Sequence, residues 1–161
     1  MASERAAALA DDFAAANADA VSFARSCTDG EWAVPVPGEE WTVGVVLHHI
    51  AEGHANSERW LRAMARGEGV AESADDIDRA NAAHALEAED AGPALTVALL
   101  EANGALLEAT LRGLSDEELD RTAPFGPAGG QELPTLDLAA VAARHTREHL
   151  THAGGAAARG S

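Results

Sequence analysis

The chain has no lysine and no tyrosine, a single cysteine, and aromatic residues at only 4% of its length. With Cys27 alone there is no internal disulfide, so packing must hold the fold, and a cytoplasmic location is the expectation. Scarce aromatics, with alanine in almost every segment, argue against a β-sandwich and for helix packed on helix. Basic residues are few as well: 11 arginines face 27 acids, for a formal charge of −16. A surface that negative repels phosphate backbones and anionic lipid, so neither nucleic acid nor a membrane is an expected partner. The absence of lysine, with abundant alanine and glycine and two isoleucines, is the mark of a GC-rich genome. The opening MASERAAALADDFAAANADA carries acids where a signal peptide needs an unbroken apolar run, and no later stretch reads as a transmembrane span.

What is present is helical periodicity. Leu9, Phe13, Ala16, Ala20, Phe23 and Cys27 recur at three- and four-residue steps and predict a first helix ending near Thr28-Asp29-Gly30. The following EWAVPVPGEEW, with two prolines and a glycine, predicts an extended linker. Thr42 is the expected N-cap of a second helix, whose Val43, Val46, Leu47, Ile50, Ser57, Leu61 and Met64 trace one stripe until Gly67 and Gly69 stop it. A third helical stretch opens at Ser73 to Asp76 and resumes after Pro93, as two helices or one kinked one. SDEEL reads as a short acidic turn, and RTAPFGPAGGQELP as an irregular connection. Pro134 then opens a last helix whose Leu138, Val141, Ala142, His145, His149 and His152 share a face. At 161 residues the expectation is one all-α domain, a four-helix bundle over residues 1–153, with 154–161 as a flexible tail.

His145 and His149 are one turn apart on that last apolar face, the spacing that lets two imidazoles reach one metal ion. Seven histidines yield about 0.25 such pairs by chance, so the spacing needs support from its context. Burial supplies some, because each unpaired imidazole in a core costs on the order of one to a few kcal/mol that a metal would offset. The competing reading is a pair of core histidines hydrogen-bonded to Asp137 or Glu148. The second helix carries His48, His49 and His54 as sources of a third ligand. On a helical wheel centred on Ile50 they lie about 160°, 100° and 40° from the apolar stripe. Burial favours His54, while His49 sits on a flank that a neighbouring helix could cover. His84 has no partner in sequence and reads as a surface residue. HTREH also fits the H-x-x-E-H pattern of inverzincin peptidases, with Glu148 as base, but Glu148 falls beside the His145/His149 line and no peptidase-like cleft is predicted.

Four segments, EEWTVGVVLHHIAEGH, IDRANA, LSDEELDRTAP and RHTREHL, occur in the order found in the DinB/YfiT-like superfamily, and the chain resembles that family over most of its length. The resemblance implies a metal-binding four-helix bundle. It implies one ligand from the second helix, the histidine directly followed by Leu or Ile, which is His49, and two from the last, His145 and His149. It further implies a divalent ion, Zn²⁺ or Ni²⁺, and an S-transferase that uses a low-molecular-weight thiol of the mycothiol type on an electrophilic small molecule. A metal-dependent hydrolase and a non-catalytic binding or sensor protein are the alternatives, and a homodimer is an expected assembly. The maleylpyruvate isomerases of this group carry a further C-terminal domain, so that reaction is not expected. Asn81, Asp78 and His152 are expected at the substrate pocket, and Glu148 and Asp137 as carboxylates orienting a ligand imidazole. No residue is assigned as a general base.

Overall fold

A computed structural model describes residues 3–160. Four long helices form the bundle: α1 (Glu4–Ser26), α3 (Val43–Ala65), α5 (Pro93–Gly113) and α7 (Thr135–Gly160). Between them lie α2 (Asp29–Trp32), α4 (Ala74–Glu87), α6 (Asp116–Asp120) and an antiparallel hairpin of β1 (Thr122–Phe125) and β2 (Gln131–Pro134).

Side-chain caps start several of these helices, at Thr42 and Ser73 where the sequence suggests. The side chains of Ser3 and Thr42 accept from the backbone N–H of Ala6 and Val45. Ser73 with Asp76, and Ser115 with Glu118, form reciprocal capping boxes, and each such cap contributes about 1 kcal/mol. The third helical stretch is two helices, broken before Pro93, and Trp32 Nε1 donates to Ala91 O at 3.1 Å across that break.

Around the bundle the neighbours run α1, α5, α3, α7. Asn103 Nδ2 donates to Ala51 O at 2.9 Å and Thr110 Oγ1 to Glu58 at 3.0 Å, so α3 and α5 advance in the same direction. Parallel neighbours need a return path, which residues 66–92 supply. That return carries α4, which packs on α3 and on the 3-10 turn Gly126–Ala128 and so walls one side of the α3/α7 interface. Helices α3 and α7 are antiparallel, with His49 beside His149 and His54 beside Thr146.

The core has two lobes. One gathers Phe13, Leu61, Met64, Leu107, Leu111 and Leu119; the other gathers Val43, Val46, Leu47, Ile50 and Leu100 with Ala153, Ala156 and Ala157. This second lobe is why the last helix does not fray at residue 153. Residues 154–160 of the expected flexible tail are instead the end of α7, because its alanines extend the buried stripe to Ala157, and Ser161 lies outside the described residues.

Three further expectations are corrected. The connection read as irregular is a hairpin, tied by Val70 N to Pro124 O (2.9 Å) and Gly126 N to Val70 O (2.8 Å). Gly69, at φ 74°, permits that approach, since a Cβ there would stand 2.7 Å from Pro124 O. Pro134 closes β2, and α7 begins at Thr135. Finally, α5 is long and apolar enough to cross a membrane by length and composition. It is placed as a bundle helix, with Leu100, Leu107 and Leu111 buried against its neighbours.

Candidate metal centre

The linker before α3 shapes one end of the site. It bends at Gly38 (φ 83°) and returns through Val36 N to Trp41 O (2.8 Å), a bridge between Pro35 and Thr42 that brings Glu39 and Trp41 over the helices. Thr42 then sets the phase of α3. Its first turns are enclosed on nearly all sides: Val43 to Leu47 and His49 to Ala51 are buried, and only His48 is half-buried. His49 therefore points into the α3/α7 interface and not to solvent.

There it meets the two histidines of α7. Ring centroids lie 5.3 Å from His49 to His145, 4.9 Å from His49 to His149 and 4.5 Å from His145 to His149. One nitrogen from each ring falls within 4.8 Å of the others, and among the described residues this is the group able to share a metal ion. Gly53, one turn after His49, makes room: a Cβ there would come to 3.2 Å from His145 Cε1. Trp41 covers His49 at 4.9 Å between centroids.

The electrostatics suit ligation. Burial, then the neighbouring imidazoles, push the pKa of His49 down to about 3. Burial, then His149, push His145 down to about 4. His149 is also lowered, by burial, against an opposing pull from Glu39. All three rings are neutral at physiological pH and keep their lone pairs for a ligand. His149 Nδ1 lies 3.5 Å from Glu39 Oε1, yet it forms no hydrogen bond, and it and Glu39 Oε2 are buried without partners. An orphaned ring nitrogen beside a half-buried carboxylate is an arrangement a metal would complete, with the carboxylate taking the N–H as the other nitrogen binds. Three neutral imidazoles fit Zn²⁺, Ni²⁺ and similar divalent ions, and they leave a coordination position open.

The cluster opens on a pocket of about 450 Å³. Its apolar walls come from Trp41, Trp60, Ile77, Phe125, Leu138 and Val141, with Trp60 and Phe125 edge to face at 5.7 Å. Asn56, Ser57, Asn81 and Asp78 add polar groups.

The model of the DinB superfamily matches residues 12–153. The chain belongs to that superfamily. In fold it is similar to YfiT from Bacillus subtilis, described as "a probable metal-dependent hydrolase with an unusual four-helix bundle topology". The TM-score is 0.80 at 20% identity, covering 99% of this chain and 89% of that one. No curated protein matches the chain.

Within this DinB bundle the expected residues divide. His49, His145 and His149 converge, and Asn81 and the exposed Asp78 line the pocket. His54 does not join them. It is 1% exposed, its Nε2 donates to Thr146 Oγ1 at 3.2 Å, and its ring meets Phe13 edge to face at 4.9 Å. His48 turns away and stacks on His84, with ring nitrogens 3.3 Å apart, so His84 has a partner after all. His152 lies off the pocket, largely exposed, donating from Nδ1 to Glu39 Oε1 at 3.0 Å. Glu148 and Asp137 are exposed, Glu148 facing Arg144 at 3.8 Å, so neither orients a ligand. Their positions on α7 carry them off the stripe that His145 and His149 occupy. The carboxylate that does approach this group is Glu39, 3.5 Å from His149 Nδ1 and supplied by the linker.

Proposed function

We propose that the chain is a metal-dependent enzyme in which His49, His145 and His149 hold one divalent ion at the end of the pocket that Trp41 covers. A divalent ion held there would lower the pKa of a small nucleophile bound to it and leave that nucleophile active at neutral pH. The protein's own part is positional. Glu39 would fix the His149 ring through Nδ1, Gly53 leaves space for His145, and the apolar walls exclude water from the reacting groups. The observation that carries this reading is the convergence of three neutral imidazoles, one buried and two half-buried, in the wall of one pocket.

The nucleophile that the geometry favours is a low-molecular-weight thiol, transferred to an electrophilic small molecule. Among the described residues lining the pocket, Asp78 is the one carboxylate, and it stands exposed at the rim. Displacement of halide by a thiolate needs no proton delivered to the leaving group, whereas cleavage of an ester or amide does. The second reading is hydrolysis, with water in place of the thiol; the similarity to YfiT supports it. Zinc- and nickel-loaded protein assayed with a mycothiol-type thiol and an activated aryl halide, beside a panel of esters and amides, separates the two. Thiol-dependent turnover supports transfer, thiol-independent turnover replaces it with hydrolysis, and fully loaded protein with neither is a binding protein.

A further inference from the structure

We propose that the substrate body lying in this pocket is apolar and uncharged or cationic, and that the protein discriminates against a negative charge at the end distant from the histidines. The proposal rests on the reading that the pocket serves the three-histidine centre. The centre, when it holds an ion, supplies positive charge at the histidine end only, where a carbonyl, thiol or other lone-pair donor would sit. Away from the histidines the pocket offers nothing to an anion. Trp60 lies three turns beyond His49 on α3 and meets Phe125, and Asp78, the one formal charge among the described lining residues, lies nearly two turns before His84 on α4.

No arginine lines the pocket among the described residues, and the chain has no lysine to reach in. Arg59 stands 5.8 Å over the Trp60 ring, but its guanidinium pairs with Glu72, which leaves no net positive charge there. The neighbouring recess, which shares Trp41 and His149 with the pocket, adds Glu39 and Glu40 at the histidine end, and the whole chain carries −16, so no positive surface field draws an anion in. An aromatic body gains stacking surface from Trp60 and Phe125, and a quaternary ammonium gains both their π-faces and Asp78. A distal carboxylate would lose its hydration and meet Asp78 with no compensating donor cation.

The test uses three benzohydroxamic acids with a common metal-seeking head and a para group that is trimethylammonium, tert-butyl or carboxylate. Binding is read by quenching of tryptophan emission, since Trp41 and Trp60 are two of the three tryptophans, on both zinc-loaded and metal-free protein. The expected order of affinity is trimethylammonium, then tert-butyl, then carboxylate, with about tenfold or more between the first and last. Asp78→Asn is expected to shrink the ratio of ammonium to tert-butyl affinity, and a ratio unchanged by that substitution overturns the proposal. Carboxylate binding as tight as tert-butyl overturns the proposal, as does the absence of quenching by all three in both forms of the protein. Absence of any gain on zinc loading, with the order of para groups retained, overturns the metal reading and leaves the pocket assignment standing.

Discussion

His49 and His54 sit little more than one turn apart on α3, both buried and both pushed down to about 3, yet they face different surroundings. His54 is clasped by Thr146, whose hydroxyl donates onward to Ala142 O at 2.9 Å, and its ring closes on Phe13. His49 faces two other imidazoles and a pocket. Burial and a depressed pKa are thus shared by a packing residue and a ligand candidate, and neither property identifies function. Convergence of lone pairs at the edge of an opening does. His54 also keeps a buried Nδ1 without a partner, but the ring is sealed in the core and belongs to no group of converging ligand atoms among the described residues.

Acid should produce the largest effect and should not separate the two histidines. The folded pKa values of His49, His54 and His145 lie near 3, 3 and 4, below the ordinary 6.5, and that of His149 is lowered too. Between those values and 6.5 the unfolded chain binds more protons than the folded one, so metal-free protein is at full stability above pH 6.5 and loses it as pH falls toward 4 and 3. Urea midpoints across that range should fall with a dependence steeper than one proton. A flat profile would mean the rings are not buried as described.

Truncation should separate them. His54→Ala empties a core position and is expected to cost about 2–4 kcal/mol in urea unfolding of metal-free protein while retaining metal affinity. A smaller loss is expected for His149→Ala, whose side chain is 22% exposed, and its metal affinity should collapse. Equal losses of affinity in the two variants would erase the distinction between packing residue and ligand. The smallest effect belongs to Glu39→Gln, which keeps the size of the side chain but loses its charge beside His149 Nδ1. Zinc affinity by competition titration should fall about tenfold, and unfolding of the metal-free protein should barely change. An unchanged affinity would leave Glu39 as a surface cap only.

Much of this was legible in the chain. Thr42 and the Ser73–Asp76 box start helices as expected, Gly67 and Gly69 end α3 in positive φ, and the four-residue step from His145 to His149 places both rings on one face. The second-helix ligand was harder, because a wheel centred on Ile50 favours the more buried histidine. That favoured residue is the packed one: α3 lies between α5 and α7, so a flank of the stripe is as enclosed as its centre. Glu39 was out of reach of periodicity altogether. It arrives through a turn at Gly38, and nothing in its spacing links it to His149, 110 residues later. The hairpin was hidden for a related reason, since Pro124 and Pro134 lie in its strands and Pro127 in the turn between them, and only the pairing of β1 with β2, tied to Val70, reveals it. The end of α7 was misread because Gly154 and Gly155 suggest flexibility, while Ala153, Ala156 and Ala157 are held by the core.

The most direct measurement is metal content after equilibration with equimolar Zn²⁺ and gel filtration, for the unmodified chain, His145→Ala and His54→Ala side by side. One ion per chain in the first and third, with almost none in the second, is the predicted result. Zinc retained by His145→Ala at the level of the unmodified chain, or no stoichiometric zinc in the unmodified chain, would contradict a centre built from His49, His145 and His149.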